Sequence, residues 1–152
     1  WFAVGSLGGC GLAAAAFYRA LNTMDAMLGY RDERQRLGWA PARLDDLATF
    51  LPARITGLVL LSWFALRGRF QPAWNGLRAD ARRRPGWNGG IPMALVAGGT
   101  GTRFEKPGVY TMGPGERTLR EAGPDILSAV RSAVLTFSLL LIAALVLLGS
   151  PA

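Results

Sequence analysis

Two long apolar runs constrain the fold of this chain more than any other feature of its sequence. Residues 133–149 (AVLTFSLLLIAALVLLG) carry no charge over 17 positions, and residues 47–66 (LATFLPARITGLVLLSWFAL) are apolar over 20 positions except at Arg54. An α-helix needs about 20 predominantly apolar residues to cross a bilayer. The uncharged residues 1–18 are rich in Gly and Ala, which favours a membrane segment with close helix packing over a signal peptide, because a charged leading region is lacking.

The pattern predicts an all-α, polytopic integral membrane protein with transmembrane helices and amphipathic or re-entrant helical segments. One membrane-embedded domain is expected to cover residues 1–152. Its membrane segments are predicted at about 1–18, 47–66 and 128–149, and its polar motif loops at 19–46 and 67–123.

Shorter elements are predicted within and beside these loops. Two short helices are expected in residues 19–46, one of them starting near Pro41. Residues 67–85 hold Phe70, Trp74 and Leu77 at near-helical spacing, which favours an amphipathic helix on the membrane surface. Residues 86–102 contain six Gly and predict a short helix or a re-entrant element. Pro124 and Asp125 are expected to open the last helix.

The charge balance narrows the possible partners. Lys and Arg total 17 against 10 acidic residues. The bases are spread along the chain among apolar runs, so a nucleic-acid partner is not expected. An anionic lipid or an anionic substrate would account for the excess of basic residues. So would the general enrichment of Lys and Arg in the cytoplasmic loops of membrane proteins. With one Cys and no His, the chain cannot build a Cys/His zinc site or a His-dependent nucleophile.

A first cluster of chemistry-bearing residues lies in YRALNTMDAMLGYR, residues 18–31. In a helix, Asn22, Asp25 and Gly29 share one face, because residues i, i+3 and i+7 align. An Asn and an Asp on one face can hold Mg²⁺ or a polar substrate. A capped, solvated helix end explains the same spacing, and both interpretations stay open.

A second cluster lies in ARLDDLATFLPAR, residues 42–54. Asp45 and Asp46 are adjacent and cannot face the same way on a helix, so one can bind a metal while the other pairs with an Arg. Arg54 is an ionisable residue inside a membrane-length run, where a charge is costly and usually functional or paired. Snorkelling to the interface is the alternative for Arg54.

A third cluster begins with Asn88-Gly-Gly-Ile-Pro-Met and continues through GGTGTR, residues 98–103, to Tyr110. The backbone N–H groups of consecutive glycines, which no side chain shields, can bind an anion. The glycine run nevertheless matches neither of the common phosphate-binding glycine motifs, and close backbone packing explains it equally well.

Taken together, the clusters resemble successive motifs of the CobD/CbiB family of adenosylcobinamide-phosphate synthases. The resemblance is carried by YRALNTMDAMLGYR, ARLDDLATFLPARITG and NGGIPMALVAGGTGTRFEKPGVY, over about residues 12–140. Thr49 stands where many relatives have Asn, and Gly89 where Ala is common. The resemblance implies the C-terminal half of such a protein, so the N-terminal half, with an acidic motif of its own, is an expected partner.

What the resemblance implies is an ATP-dependent acid–amine ligase of cobalamin biosynthesis. The family joins aminopropanol, or its phosphate, to a propionate carboxylate of the corrinoid adenosylcobyric acid, using ATP and Mg²⁺. The implied catalytic and metal-binding residues are Asp25, Asp45 and Asp46. The implied substrate-binding residues are Arg19, Asn22, Tyr30, Arg31, Arg43, Arg54, Asn88 and Tyr110.

The expected location is the cell membrane, with several passes and the active site in the cytoplasm. Residues 67–123 carry ten Lys and Arg against five in 19–46. Because cytoplasmic loops of membrane proteins are enriched in these residues, 67–123 is predicted to face the cytoplasm. To bring both loops to one site, 47–66 would have to bend back, or 86–102 dip towards it. A homo-oligomer is compatible with the sequence. The alternative function is a non-catalytic membrane subunit that binds the corrinoid as a scaffold or transporter half, without needing the Asp pair.

Overall fold

A computed structural model describes residues 11–28, 35–86 and 88–149 of the chain. The described residues are mostly helical, with a small two-stranded sheet. In chain order the elements are α1 (Gly11–Leu28), α2 (Gln35–Leu66), α3 (Phe70–Asp80), α4 (Gly90–Thr100), β1 (Phe104–Lys106), β2 (Tyr110–Met112) and α5 (Leu119–Gly149). They divide into a first unit, residues 11–28, 35–49 and 138–149, and a second unit, Phe50–Phe137.

Two helices are long and apolar enough to cross a membrane, Trp39–Leu66 and Leu119–Leu147. Only 17% and 6% of their most apolar windows are buried, so neither helix is enclosed by the other described residues. The two membrane-length helices predicted from the apolar runs are therefore confirmed as helices. Of the segment predicted at 1–18, residues 1–10 lie outside the described residues, and α1 continues past 18 to Leu28.

The predicted helix start near Pro41 is wrong, because α2 runs without interruption from Gln35 to Leu66. Proline removes one backbone donor from a helix and disfavours its interior, yet the helix continues on both sides of Pro41. Two helices were predicted within residues 19–46; residues 19–28 belong to α1 and residues 35–46 to α2, so both are parts of longer helices. The helix includes Pro52 as well.

The predicted start of the last helix at Pro124 is also wrong. Helix α5 begins at Leu119, and Pro124 lies inside it. The start is fixed by a capping box: the Thr118 amide donates to Glu121 Oε2 at 2.8 Å, and the Glu121 amide donates to Thr118 Oγ1 at 3.3 Å. These reciprocal bonds satisfy backbone donors that the first helical turn leaves unpaired.

The core of the second unit forms around α4. Eight of the 11 residues of α4 are buried, which confirms a short helix within 86–102. The predicted helix within 67–85 is α3, which packs along α4. The buried core residues are Leu60, Phe64, Ala73, Leu95, Val96, Ala129 and Ala133.

Two glycines allow α3 and α4 to approach closely. A Cβ atom added to Gly76 would lie 2.8 Å from the Gly98 Cα, and one added to Gly98 would lie 2.6 Å from the Pro72 carbonyl oxygen. Both distances are to backbone atoms, so no side chain can move aside to make room.

The chain is not purely helical, because β1 and β2 form an antiparallel hairpin within the predicted polar loop. Phe104 pairs with Met112, and Lys106 with Tyr110. The connecting turn has Pro107 followed by Gly108 at φ +70°, and the Val109 amide donates to the Lys106 carbonyl at 3.0 Å. Proline and then glycine at the two central positions are the signature of a type II turn.

Replacing Gly98 with Ala is expected to destabilise the chain by about 1–3 kcal/mol, because the added methyl group overpacks a backbone contact. The matched control is Gly123→Ala, also within a helix, where an added Cβ meets no atom within 4 Å. That control should be neutral or stabilising by up to about 1 kcal/mol. Denaturant unfolding of both purified variants measures the difference, and equal stabilities would contradict the packing described for α3 and α4.

Candidate functional site

The N-terminal end of α4 lies against the middle of α2. A Cβ added to Gly57 would lie 2.8 Å from the Ile91 side chain, so glycine is what permits this approach. Three residues earlier on each segment, Arg54 Nη1 donates a hydrogen bond to Asn88 Oδ1. The structure thus joins two predicted substrate-binding residues that are 34 positions apart in the sequence.

Arg54 is held by three groups at once. Its guanidinium carbon lies 3.6 Å from the centroid of the Phe50 ring, and its Nη1 also donates to the Phe50 carbonyl at 3.2 Å. Both described hydrogen bonds of this side chain come from Nη1. The Nε and Nη2 groups therefore keep the N–H donors that grip a carboxylate or phosphate in bidentate fashion.

Asn88 is 6% exposed and is positioned by the glycines that follow it. A Cβ added to Gly90 would lie 1.9 Å from the Ala81 carbonyl oxygen, so the backbone passes too close for any side chain there. A Cβ added to Gly89 would meet the flexible end of the Arg84 side chain instead. Alanine, common at position 89 in the motif that this chain resembles, therefore requires only that Arg84 move.

Asp45 forms a second candidate site, in the first unit. Its Oδ1 is buried and has no hydrogen-bond partner among the described residues. The Thr49 hydroxyl donates to the Asp45 backbone carbonyl at 2.7 Å, and the charge of Asp45 acts on the nearby Tyr18 hydroxyl. A buried carboxylate oxygen without a partner is costly, and a bound cation or donor would satisfy it.

The other predicted site residues lie on three elements. Arg43 and Asp46 belong to α2, and each takes part in further interactions. Arg19, which is exposed, and Asn22, which is half-buried, belong to α1. Tyr110 is half-buried at the start of β2.

Three predicted site residues cannot be placed in either candidate site. Asp25 belongs to α1, but its side chain lies outside the described residues, as do Tyr30 and Arg31. Within the part of the chain that the structure describes, His, Cys, Asp and Glu side chains form no group of three that could hold a metal ion.

The GGTGTR run closes α4. The Thr102 amide donates to the Ala97 carbonyl at 3.0 Å, and Gly101, at φ +75°, donates to the carbonyl of Gly98. This pair of bonds is a Schellman motif, in which glycine supplies the left-handed residue. A Cβ on Gly99 would lie 2.4 Å from the Phe64 ring. Packing and capping therefore account for these glycines better than a phosphate loop does.

One buried acid was not among the predicted site residues. Asp80 is 7% exposed; its Oδ2 accepts from the Gly113 amide at 2.7 Å, and its Oδ1 pairs with Arg83 at 2.8 Å. Both oxygens are satisfied, so Asp80 ties α3 to the hairpin. Its sequence signal is that it is the one acid among six Arg in residues 67–85.

The described residues are thus mostly helical, two of their helices are long and apolar enough to cross a membrane, and Arg54 is bound to Asn88. The model of the family described as CobD/Cbib protein matches residues 1–138. The chain therefore belongs to the CobD/CbiB family of cobalamin biosynthesis proteins.

Curated relatives agree with this assignment. The chain is 42% identical over 137 residues to the probable cobalamin biosynthesis protein CobD of Methanothermobacter thermautotrophicus, covering 88% of this chain and 45% of the relative. It is 43% identical over 106 residues to the cobalamin biosynthesis protein CobD of Geobacter metallireducens, covering 68% and 33%. The chain thus spans less than half the length of these relatives. No solved structure matches it.

The bond between Arg54 and Asn88 can be measured with a double-mutant cycle of Arg54→Met and Asn88→Leu. Because the charged guanidinium of Arg54 donates this hydrogen bond in half-buried surroundings, we expect a coupling free energy of about 1.5–3 kcal/mol. Unfolding of the wild type, both single variants and the double variant provides the four values. Arg78→Met paired with Asn88→Leu is the control cycle, and it should show no coupling. Additive effects in the first cycle would contradict the described contact.

Proposed function

We propose that the full-length protein to which this chain belongs is the amide ligase that joins aminopropanol, or its phosphate, to a propionate carboxylate of adenosylcobyric acid. The product is adenosylcobinamide or its phosphate. The observation that carries the proposal is the bond between Arg54 and Asn88. It unites the PAR and NGGIPM motifs in a single cluster whose unused guanidinium donors suit an anionic group of the substrate.

The acid motif supplies the second part of the proposal. Asp45, with its unpaired buried Oδ1, fits a ligand of Mg²⁺, which often binds through one or two carboxylates together with substrate phosphates and water. Asp46 is the adjacent candidate, and Asp25 the candidate on α1. A bound Mg²⁺ would neutralise the charge of the ATP phosphates.

The proposed reaction has two steps. The γ-phosphoryl group of ATP passes to a propionate oxygen, which gives an acyl phosphate and ADP. The amine nitrogen then attacks the acyl carbon, the C–N bond forms, the C–O bond to phosphate breaks, and inorganic phosphate leaves. The attacking ammonium loses its protons on the way to the amide, and an aspartate of the acid motif is the proposed acceptor. Arg54 is proposed to hold the substrate carboxylate or a phosphate during these steps.

We further propose that α2 and α5 cross the cell membrane, with the positively charged residues 67–123 in the cytoplasm. Support comes from the exposed apolar side chains of α5, among them Leu139, Ile142 and Leu147, which an aqueous surface would disfavour. Because α2 is one continuous helix, no bend within 47–66 brings the two loops together, so the proposed site depends on α4, whose N-terminal end reaches α2 at Gly57. Arg54 lies within the apolar helix Trp39–Leu66, so the site is proposed at membrane depth and entered from the cytoplasm.

Asp45→Asn and Asp46→Asn should each lower ATP-dependent ligation in membranes by at least about 100-fold, because a ligand or proton acceptor is lost. Glu105→Gln removes an exposed carboxylate on β1 and is the control, with activity expected within about twofold of wild type. Immunoblotting verifies equal membrane content. Full activity in both Asp variants would refute the role of the acid motif. Corrinoid binding without ligation by the wild-type protein would favour the non-catalytic alternative.

The proposed topology predicts that single cysteines at positions 33 and 116, in a Cys10→Ser background, react with a membrane-impermeant thiol reagent from opposite faces. Position 116 should react only when the reagent reaches the cytoplasmic face. A third cysteine at exposed position 105, in the same loop as 116, is the control and should behave as 116 does. Labelling of 33 and 116 from the same face would contradict a single crossing by α2.

A further inference from the structure

A small cavity in the second unit lies at the end of α2, apart from the residues assigned to ligation. Its volume is ≈ 200 Å³. The lining residues are Trp63, Phe64, Arg67, Arg69, Gly99 and Asp125. This space is below the roughly 300–1,000 Å³ of pockets that enclose a whole drug-sized ligand, yet it is large enough for several waters. It suits one compact polar group.

The charges around this cavity do not balance. Arg117 Nη1 donates to Asp125 Oδ2 at 2.8 Å, and its Nη2 donates to the Glu121 carbonyl at 2.8 Å. Arg117 and Asp125 therefore neutralise each other. The charges of Arg67 and Arg69 also act on the Asp125 carboxylate. The Glu121 carboxylate also acts on Arg117, so three guanidinium groups face two carboxylates and one positive charge is in excess around the cavity.

Arg67 and Arg69 are exposed residues, and each guanidinium group has a described contact beside the cavity. Arg69 Nη1 donates to the Gly99 carbonyl at 3.0 Å, and Gly99 itself is packed against the Phe64 ring. The Arg67 guanidinium carbon lies 4.4 Å from the centroid of the Trp63 ring. Each arginine keeps further N–H donors, since a guanidinium has five. Two guanidinium groups that line one cavity can together bind a tetrahedral oxyanion.

The place of the cavity along the chain indicates where such an anion is found. The apolar helix Trp39–Leu66 ends one residue before Arg67, and Trp63 lies in its last turn. Tryptophan and arginine at the end of a membrane-length helix are typical of the headgroup level of a bilayer. Phosphate groups are available there both from lipids and from soluble phosphorylated compounds.

We propose that the cavity between Trp63, Arg67, Arg69 and Asp125 binds a phosphate group, from an anionic lipid headgroup or from a soluble phosphate compound. A lipid can supply the phosphate only if the proposed membrane location is correct. The charge and the geometry of the cavity do not depend on that location. Binding is measured without catalysis, so failure of this proposal and failure of the proposed ligase activity are distinguishable.

The test compares Arg67→Gln/Arg69→Gln with Arg82→Gln/Arg120→Gln, which removes the same charge from exposed arginines outside the cavity. Full-length protein is purified in detergent and delipidated. Titration with short-chain phosphatidylglycerol, followed by native mass spectrometry, forms the lipid arm. Titration with inorganic phosphate against chloride at constant ionic strength, followed by calorimetry, forms the soluble arm.

We expect the cavity variant to bind at least one of the two probes about tenfold or more weakly than wild type, and the control variant to stay within about twofold. A loss confined to phosphatidylglycerol identifies a lipid site, and a loss confined to inorganic phosphate identifies a soluble ligand. Equal affinities of the cavity and control variants for both probes, or no binding by wild type, would overturn the proposal.

The single variant Arg67→Gln provides a second test in case the double variant does not fold. The described side-chain contact of Arg67 is its stacking on Trp63, so this variant should unfold at the wild-type temperature. It should still weaken binding of the same probe severalfold. An Arg67→Gln protein that is folded and binds both probes like wild type would contradict a phosphate site at this cavity.

Discussion

Helix α4 carries no charged residue, and most of its surface is apolar, so it is stable only when other elements enclose it. Its enclosure depends on the contact between Gly76 and Gly98, where the backbones of α3 and α4 meet. Glycine is unfavourable inside a helix by about 0.5–1 kcal/mol relative to Ala. The close packing that glycine permits offsets this local cost, because a larger residue at either position would hold the two helices apart.

The buried helix in turn sets the position of both arginine sites in the second unit. At its N-terminal end, the contact of Gly90 with Ala81 fixes Asn88, which accepts from Arg54. At its other end, the Gly99 carbonyl accepts from Arg69. The Asn88 side chain thus orients Arg54, and the backbone of α4 orients Arg69. Arginines that lose little side-chain entropy on binding recognise anions better than mobile surface arginines do.

The features predicted from sequence are those that local composition determines. Apolar runs gave the positions of the long helices, and the spacing of Phe70 and Trp74 gave α3. Helix boundaries at Pro41 and Pro124 were wrong, because a proline restricts one residue while long-range apolar context and the Thr118 cap decide where a helix starts. The hairpin was missed although its Pro-Gly turn is readable. The bond from Arg54 to Asn88 required a tertiary contact that sequence spacing does not contain.

The two best-described acids show why residue type alone could not rank the site candidates. Asp80 and Asp45 are both aspartates beside arginine-rich segments. The oxygens of Asp80 are engaged by Arg83 and by the Gly113 amide, so this carboxylate has little capacity left for a ligand. Asp45 keeps a buried Oδ1 without a described partner. An unsatisfied buried oxygen costs about 1–3 kcal/mol, so a cation or a hydrogen-bond donor beside Asp45 would be stabilising. Satisfaction of hydrogen bonds therefore separates the structural acid from the candidate ligand-binding one.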